Sequence, residues 1–124
     1  MFDQGNYDLA KKMLDATILR HEALASNMAN SQTPGYKRID LDPTFETQLQ
    51  TLANQGDTEG VKALTPTLQQ DMSAHAISPD GNNVQIDTEM IEMNKNTLNY
   101  DYLTQFISNS IKHINAAITG EINH

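Results

Sequence analysis

His21, His75, His113 and His124 are the side chains best suited to metal ligation and to proton transfer near neutral pH. None of them stands in the His-x-x-x-His spacing that puts two imidazoles on one helix face, and no carboxylates surround any of them in a ligand pattern, so no metal site is expected. The absence of cysteine excludes thiolate zinc sites, thiol nucleophiles and disulfide frameworks. Ten Asp and six Glu offer many carboxylate pairs. Such pairs do acid-base work only inside a cleft that separates their pKa values; no cleft-forming fold is visible in the pattern, and the acids read as a solvated face. There is no Gly-rich phosphate loop, serine elbow or dinucleotide fingerprint, and Asp80-Gly81 is a turn signal. The expectation is a protein that is not an enzyme, with no catalytic, cofactor-binding or metal residues.

Charge and hydropathy narrow the classes further. Sixteen acidic against eight basic residues give a net charge of -8, so no basic field exists to collect nucleic acid. No apolar run exceeds three residues, whereas a membrane span needs about 20. Met1-Phe2-Asp3-Gln4-Gly5-Asn6-Tyr7-Asp8 carries acid where a secretory signal carries base, and lacks its apolar stretch, so no cleavable signal peptide is expected.

At 124 residues the chain has the length of one domain, and what positions its side chains is a tripartite layout: an assembly helix within 1–33, a loop-rich middle at 34–85, and a second assembly helix within 86–124. In the first segment Tyr7, Ala10, Leu14, Ile18, His21, Ala25 and Met28 recur at spacings of three and four, which predicts a helix over 7–30 with these residues on its packing face, widened by Met13 and Leu24. His21 is read as a partly buried histidine with a hydrogen-bond partner. Pro34 disfavours helix at Thr33, and Thr33-Pro34-Gly35-Tyr36 fits a type II turn.

The middle carries Pro43, Pro66 and Pro79 with turn-rich runs at 55–60 and 78–83. A short helix from Pro43 to Ala53 using Phe45, Leu49 and Leu52 fits, and Val61 to Ile77 has room for a small β-hairpin or an extended arm. The fold class is mainly α: paired, coiled-coil-like terminal helices with an irregular middle.

The last segment has Asp87 or Thr88 as a cap, Glu89 and Glu92 as first-turn acids, Gly120 as a stop, and His113 near the C-terminal charge. Ile86, Met90, Met93, Tyr100, Ile107, Ile111, Ile114 and Ile118 alternate in steps of four and three, the spacing of a coiled-coil seam, interrupted by Thr97 and Thr104. At about 100° per residue, Ile91, Leu98, Tyr102 and Phe106 fall on roughly the opposite side. Two faces want burial, and one partner helix within the chain covers only one. The remainder must come from outside the chain, with the terminal helices gaining order on assembly.

Leu24-Ala25-Ser26-Asn27-Met28-Ala29-Asn30-Ser31-Gln32-Thr33-Pro34-Gly35-Tyr36-Lys37 resembles the N-terminal signature of the bacterial flagellar rod, hook and related axial proteins. Asp80-Gly81-Asn82-Asn83-Val84, Ile86-Asp87, Glu89-Met90 and the Asn96, Leu98, Tyr100 set resemble the proximal rod members most. The resemblance implies a structural subunit of the basal-body rod, a torque-transmitting shaft in the periplasm. It implies export through the flagellar type III apparatus, and partners among other copies of itself, other rod proteins, and basal-body ring and adaptor proteins. It carries Asn27 and Asn30 over as amides that satisfy backbone groups at a helix end, and Thr33, Pro34, Gly35 and Tyr36 as the signature turn. The assembly interface is expected to comprise Leu14, Ile18, His21, Ala25 and Met28 of the first helix. From the second it takes Met90, Ile91, Met93, Leu98, Tyr100, Phe106, Ile107, Ile111, Ile114 and Ile118. Two other readings remain: a different flagellar rod protein, against which the 80–87 segment argues, and a cytoplasmic coiled-coil adaptor module, against which Pro34-Gly35 argues.

Overall fold

The computed structural model describes residues 4–73 and 79–120. His75, His124, the Ile77 end of the expected hairpin arm, and Met1, Phe2 and Asp3 lie outside them. In chain order the elements are α1 (Gln4–Ala29), β1 (Ile39–Leu41), α2 (Thr44–Asn54), α3 (Thr58–Ala63), β2 (Leu68–Gln70) and α4 (Ile86–Thr119). The 26 residues of α1 and the 34 of α4 make rods of about 39 and 51 Å at 1.5 Å per residue. The fold is thus mainly α, with long N- and C-terminal helices around a small two-stranded sheet.

Local chemistry sets the boundaries. At Thr33-Pro34-Gly35-Tyr36 the Tyr36 N–H donates to Thr33 O at 3.2 Å and Gly35 takes φ +74°, the geometry of a type II turn, which only glycine enters without strain. Gly120, at φ +75°, closes α4 with its N–H on Ala116 O. The opposite end of α4 corrects the expected cap: Gln85 occupies the N-cap with no side-chain bond, and Asp87 and Glu89, rather than Glu92, are the first-turn acids. No basic residue lies in the last turn of α4, and His113 is exposed well before it.

In the middle, α2 forms with Phe45 and Leu49 buried and Leu52 half-buried. The turn-rich run at 55–60 is a helix boundary: Gly56 at φ +69° follows α2, and Asp57 caps α3 by accepting from Gly60 N at 2.8 Å. Val61 is therefore helical and belongs to no hairpin. The pairing partner of β2 is β1, nearly thirty residues earlier, antiparallel with Ile39 opposite Gln70, Asp40 opposite Gln69 and Leu41 opposite Leu68. Two intervening helices replace a tight turn because Phe45, Leu49 and Val61 bury themselves together against Ala16 of α1, flanked by Leu9, Leu41, Leu52 and Leu64.

α1 is therefore the common support, packed on one side by the middle segment and on another by α4. α4 runs antiparallel to it, because Asn27 meets Glu89 near one end while the Thr17 carbonyl meets Asn96 further along. Counting outward from that second contact, the described part of α1 is exhausted opposite about residue 109 of α4, at equal rise per residue in both helices. Beyond Ser110, α4 is exposed at every position to Gly120 save Ala116.

Candidate functional site

The two sequence segments that carry the family resemblance, 24–37 and 80–90, meet in space. Asn27 is fully buried on the last turns of α1, and its amide grips the backbone of Ile39 from both sides. Nδ2 donates to Ile39 O at 2.8 Å, while Oδ1 accepts from Ile39 N at 2.9 Å and from Tyr36 Oη at 3.1 Å. One side chain thus stands where a neighbouring strand would, on the outer edge of β1. Asn30 does serve the helix end, donating to Ser26 O at 2.9 Å and accepting from Thr33 Oγ1 at 3.0 Å.

From the second segment, Asn82 Nδ2 donates to Asn30 O at 3.0 Å and Thr33 O at 2.7 Å, while Asn83 Oδ1 accepts from Arg38 N at 2.7 Å. Both asparagines are buried, as helix-end carbonyls and loop amides away from water require. Gly81, at φ +86°, brings its carbonyl to Lys37 Nζ, and a Cβ there would stand 3.3 Å from that ammonium.

The joint is closed by charge. Glu89, 1% exposed on the first turn of α4, receives Arg38 in a fork: Nε to Oε1 at 2.7 Å and Nη2 to Oε2 at 3.2 Å, with Asn27 Nδ2 at 3.5 Å from Oε2. Arg38 also contacts Asp40 at 3.3 Å and pairs with Asp71. Beside it Arg20 bridges Asp40 and Glu92, each at 3.0 Å. The two guanidinium groups and four carboxylates line an open cleft of about 430 Å³, with Asn83, Gln85 and Thr88 on its rim.

Burial opposes the charge on Arg38, but hydrogen bonds to Glu89 and Asp71 and the charges of Glu89 and Asp40 outweigh it, holding the guanidinium above its ordinary value. Arg20 behaves likewise between Asp40 and Glu92. Asp71 is held below the usual carboxylate range, first by its hydrogen bond from Ser73 Oγ and, against the opposing effect of burial, by the Ser73 amide and Arg38. Every charge here faces an opposite one. Such a constellation sets two guanidinium charges among four carboxylates and ties α1, the 38–40 segment, Asp71 and α4 together; it offers neither an activated nucleophile nor a pair of carboxylates with separated roles.

The expectation that the acids form a solvated face is thus corrected for Glu89, Asp40, Asp71 and Glu92, which the arginines draw inward. The helix faces shift as well. On α1 the buried residues are Asp8, Ala10, Ala16, Thr17, Ala23, Leu24 and Asn27, whereas Leu14 and Met28 are half-buried and Ile18, His21 and Ala25 are exposed. His21 is therefore not a buried histidine. On α4 the buried line is Glu89, Asn96, Leu103 and Ser110, one position away from part of the expected apolar seam. Met93, Phe106 and Ile107 are half-buried; Ile86, Met90, Tyr100, Ile111 and Ile114 are exposed. A count of apolar spacing could not find a line that is three-quarters polar. The signal that could have found it was Arg38 following one motif and Glu89 inside the other.

The outer face of α4 stands clear, with Ile91 55% exposed, Leu98 69% and Tyr102 69%; near the C-terminal end of the helix, on its other side, Ile118 is 77% exposed. Among the described residues no group of three or more His, Asp or Glu could hold a metal ion, and no helix is long and apolar enough to cross a membrane.

No protein-family model matches the chain. Among curated proteins it is 33% identical over 118 aligned positions to the flagellar basal body rod protein FlgB of Escherichia coli strain K12, covering 82% of this chain and 84% of that one. To the protein of the same name from Buchnera aphidicola it is 30% identical over 135 positions, covering 97% of this chain and all of the relative. The corresponding Borrelia hermsii protein is 31% identical over 129 positions, with 90% and 93% covered.

Proposed function

The chain belongs to the FlgB family of flagellar basal body rod proteins, and on that premise we propose that it is a non-enzymatic subunit of the proximal rod, assembled through its two terminal helices. The observation that carries this reading is the outward face of α4. Ile91, Leu98 and Tyr102 stay exposed after α1 has taken its place, and Ile111, Ile114 and Ile118, also exposed, lie past the described end of α1. Burying one large apolar side chain is worth about 1.5–3 kcal/mol, so six left in water forgo a sum comparable to the stability of a small domain.

Neighbouring copies and other rod subunits recover that sum by packing helices on both faces. The contact is heterologous, so repetition continues as a helical shaft and does not close as a dimer. Ile18, His21 and Ala25 form a further exposed strip, on α1. The subunit is exported through the flagellar type III apparatus and works in the periplasmic rod, beside ring and adaptor proteins. The overhanging end of α4 gains its order there.

Leu98→Asp tests the reading. The side chain is mostly exposed in one copy, so the variant folds, yet a neighbour's packing would trap an unpaired charge. Expected is a soluble protein with unchanged thermal unfolding that is missing from purified basal bodies. Normal incorporation and motility would overturn the assignment of this face.

A further inference from the structure

Glu89, Asn96, Leu103 and Ser110 lie seven residues apart, all buried along α4, and only one of them is apolar. Each polar member has its partner within the copy. Glu89 takes the Arg38 fork and the Asn27 amide, Asn96 Nδ2 donates to Thr17 O at 2.8 Å, and Ser110 Oγ bonds back to Phe106 O. The first two reach across to other elements and the third does not.

An all-apolar line at seven-residue spacing would pack nearly as well after sliding by one repeat, about 10 Å. A polar line would not, because Glu89 would leave Arg38 and Asn96 would leave the Thr17 carbonyl, each then buried without a partner. Stability alone does not explain such residues, since apolar side chains of similar volume usually serve a packed interface at least as well as a buried ion pair.

We propose that Glu89, with Arg38, and Asn96 are positioning residues that fix the register of α4 on α1. The register decides which residues α4 leaves uncovered. One repeat of sliding would lengthen the overhang beyond Ser110 by seven residues or shorten it by as many. The buried polar line therefore selects the surface that any partner meets, and it does so inside a single copy, whether or not the chain builds a rod.

The full chain carrying spin labels at two exposed positions, Glu22→Cys on α1 and Asp101→Cys on α4, reports the register as a distance distribution. The parent should give one narrow distance. Arg38→Met/Glu89→Leu/Asn96→Leu should add a second population displaced by up to about 10 Å. Asn96→Leu alone, which disturbs no charge and leaves Thr17 O in its helix, should show the same second population at lower amplitude. Leu103→Ala, which empties core volume and leaves the polar members of the line intact, should lower the Tm and keep one distance. A broad distribution in the parent, or a single unchanged distance in Asn96→Leu and the triple variant, overturns the proposal.

Discussion

Removing the Glu89 carboxylate is the sharpest single perturbation of the joint. In Glu89→Ala both oxygens that receive the Arg38 fork vanish, and a cationic side chain that is 13% exposed keeps only Asp40 and Asp71. Breaking a buried pair by deleting one partner costs about 3–5 kcal/mol. The remaining acids place this case near the lower end, at about 3 kcal/mol, out of about 5–15 for a domain of this size. Glu89→Gln keeps the shape and one acceptor oxygen but loses the charge, so it should cost about 1.5–2 kcal/mol, the worth of a charge-assisted hydrogen bond. Urea unfolding of the full chain, followed by far-ultraviolet circular dichroism, reads both values as shifts in midpoint at constant slope. A loss within about 0.5 kcal/mol for Glu89→Ala would place the residue with ordinary surface positions and refute the claim that charge closes the joint.

Three further outcomes follow from the same geometry. Hydrogen exchange in the free chain should divide α4 near Ser110, with amides from 111 to 119 exchanging much faster than those of the segment packed on α1, and the difference should vanish in assembled rods; uniform protection along α4 would contradict the overhang. Because the Asp71 carboxyl is held below its ordinary value, its contribution is complete above about pH 4 and is lost as pH falls through the folded value. Melting temperatures should therefore be level near neutrality and fall in acid, and Asp71→Asn should shallow that acid limb; an acid limb of unchanged depth would be inconsistent with it. Gly35→Ala, forced to φ +74°, should lose about 1–2 kcal/mol in the same unfolding assay, and no loss would mean the turn can adopt another form.

The residues that punctuate the chain made most of its outline legible. Pro34 with Gly35 and Gly120 each act through local backbone preference, so the turn and the end of α4 follow from identity alone. Phe45, Leu49 and Leu52 gave α2 through their spacing. The outward exposure of Ile91, Leu98 and Tyr102 followed from counting more apolar directions on one helix than one partner helix can cover. Tertiary chemistry hid the rest. The packing line of α4 is Glu89, Asn96 and Ser110 around a single Leu103, and that of α1 leans on alanines, Thr17 and Asn27; both are silent in a reading that scores only large apolar side chains. Glu89 looked like a dipole-favoured first-turn acid until Arg38, 51 residues earlier in the chain, was found beside it. In the same way, the Gly56-Asp57 pair, read as loop, is the boundary between two helices.

The central claim is that α4 presents apolar surface which one copy cannot cover and which neighbours in the rod do. It is tested most directly by maleimide labelling of single cysteines at Leu98 and Ile118, in the free chain and in purified basal bodies. Both positions should label rapidly in the free chain and be protected after assembly, with a control cysteine at exposed Glu59 reacting in either state. Equal reactivity of Leu98→Cys and Ile118→Cys before and after assembly would contradict it.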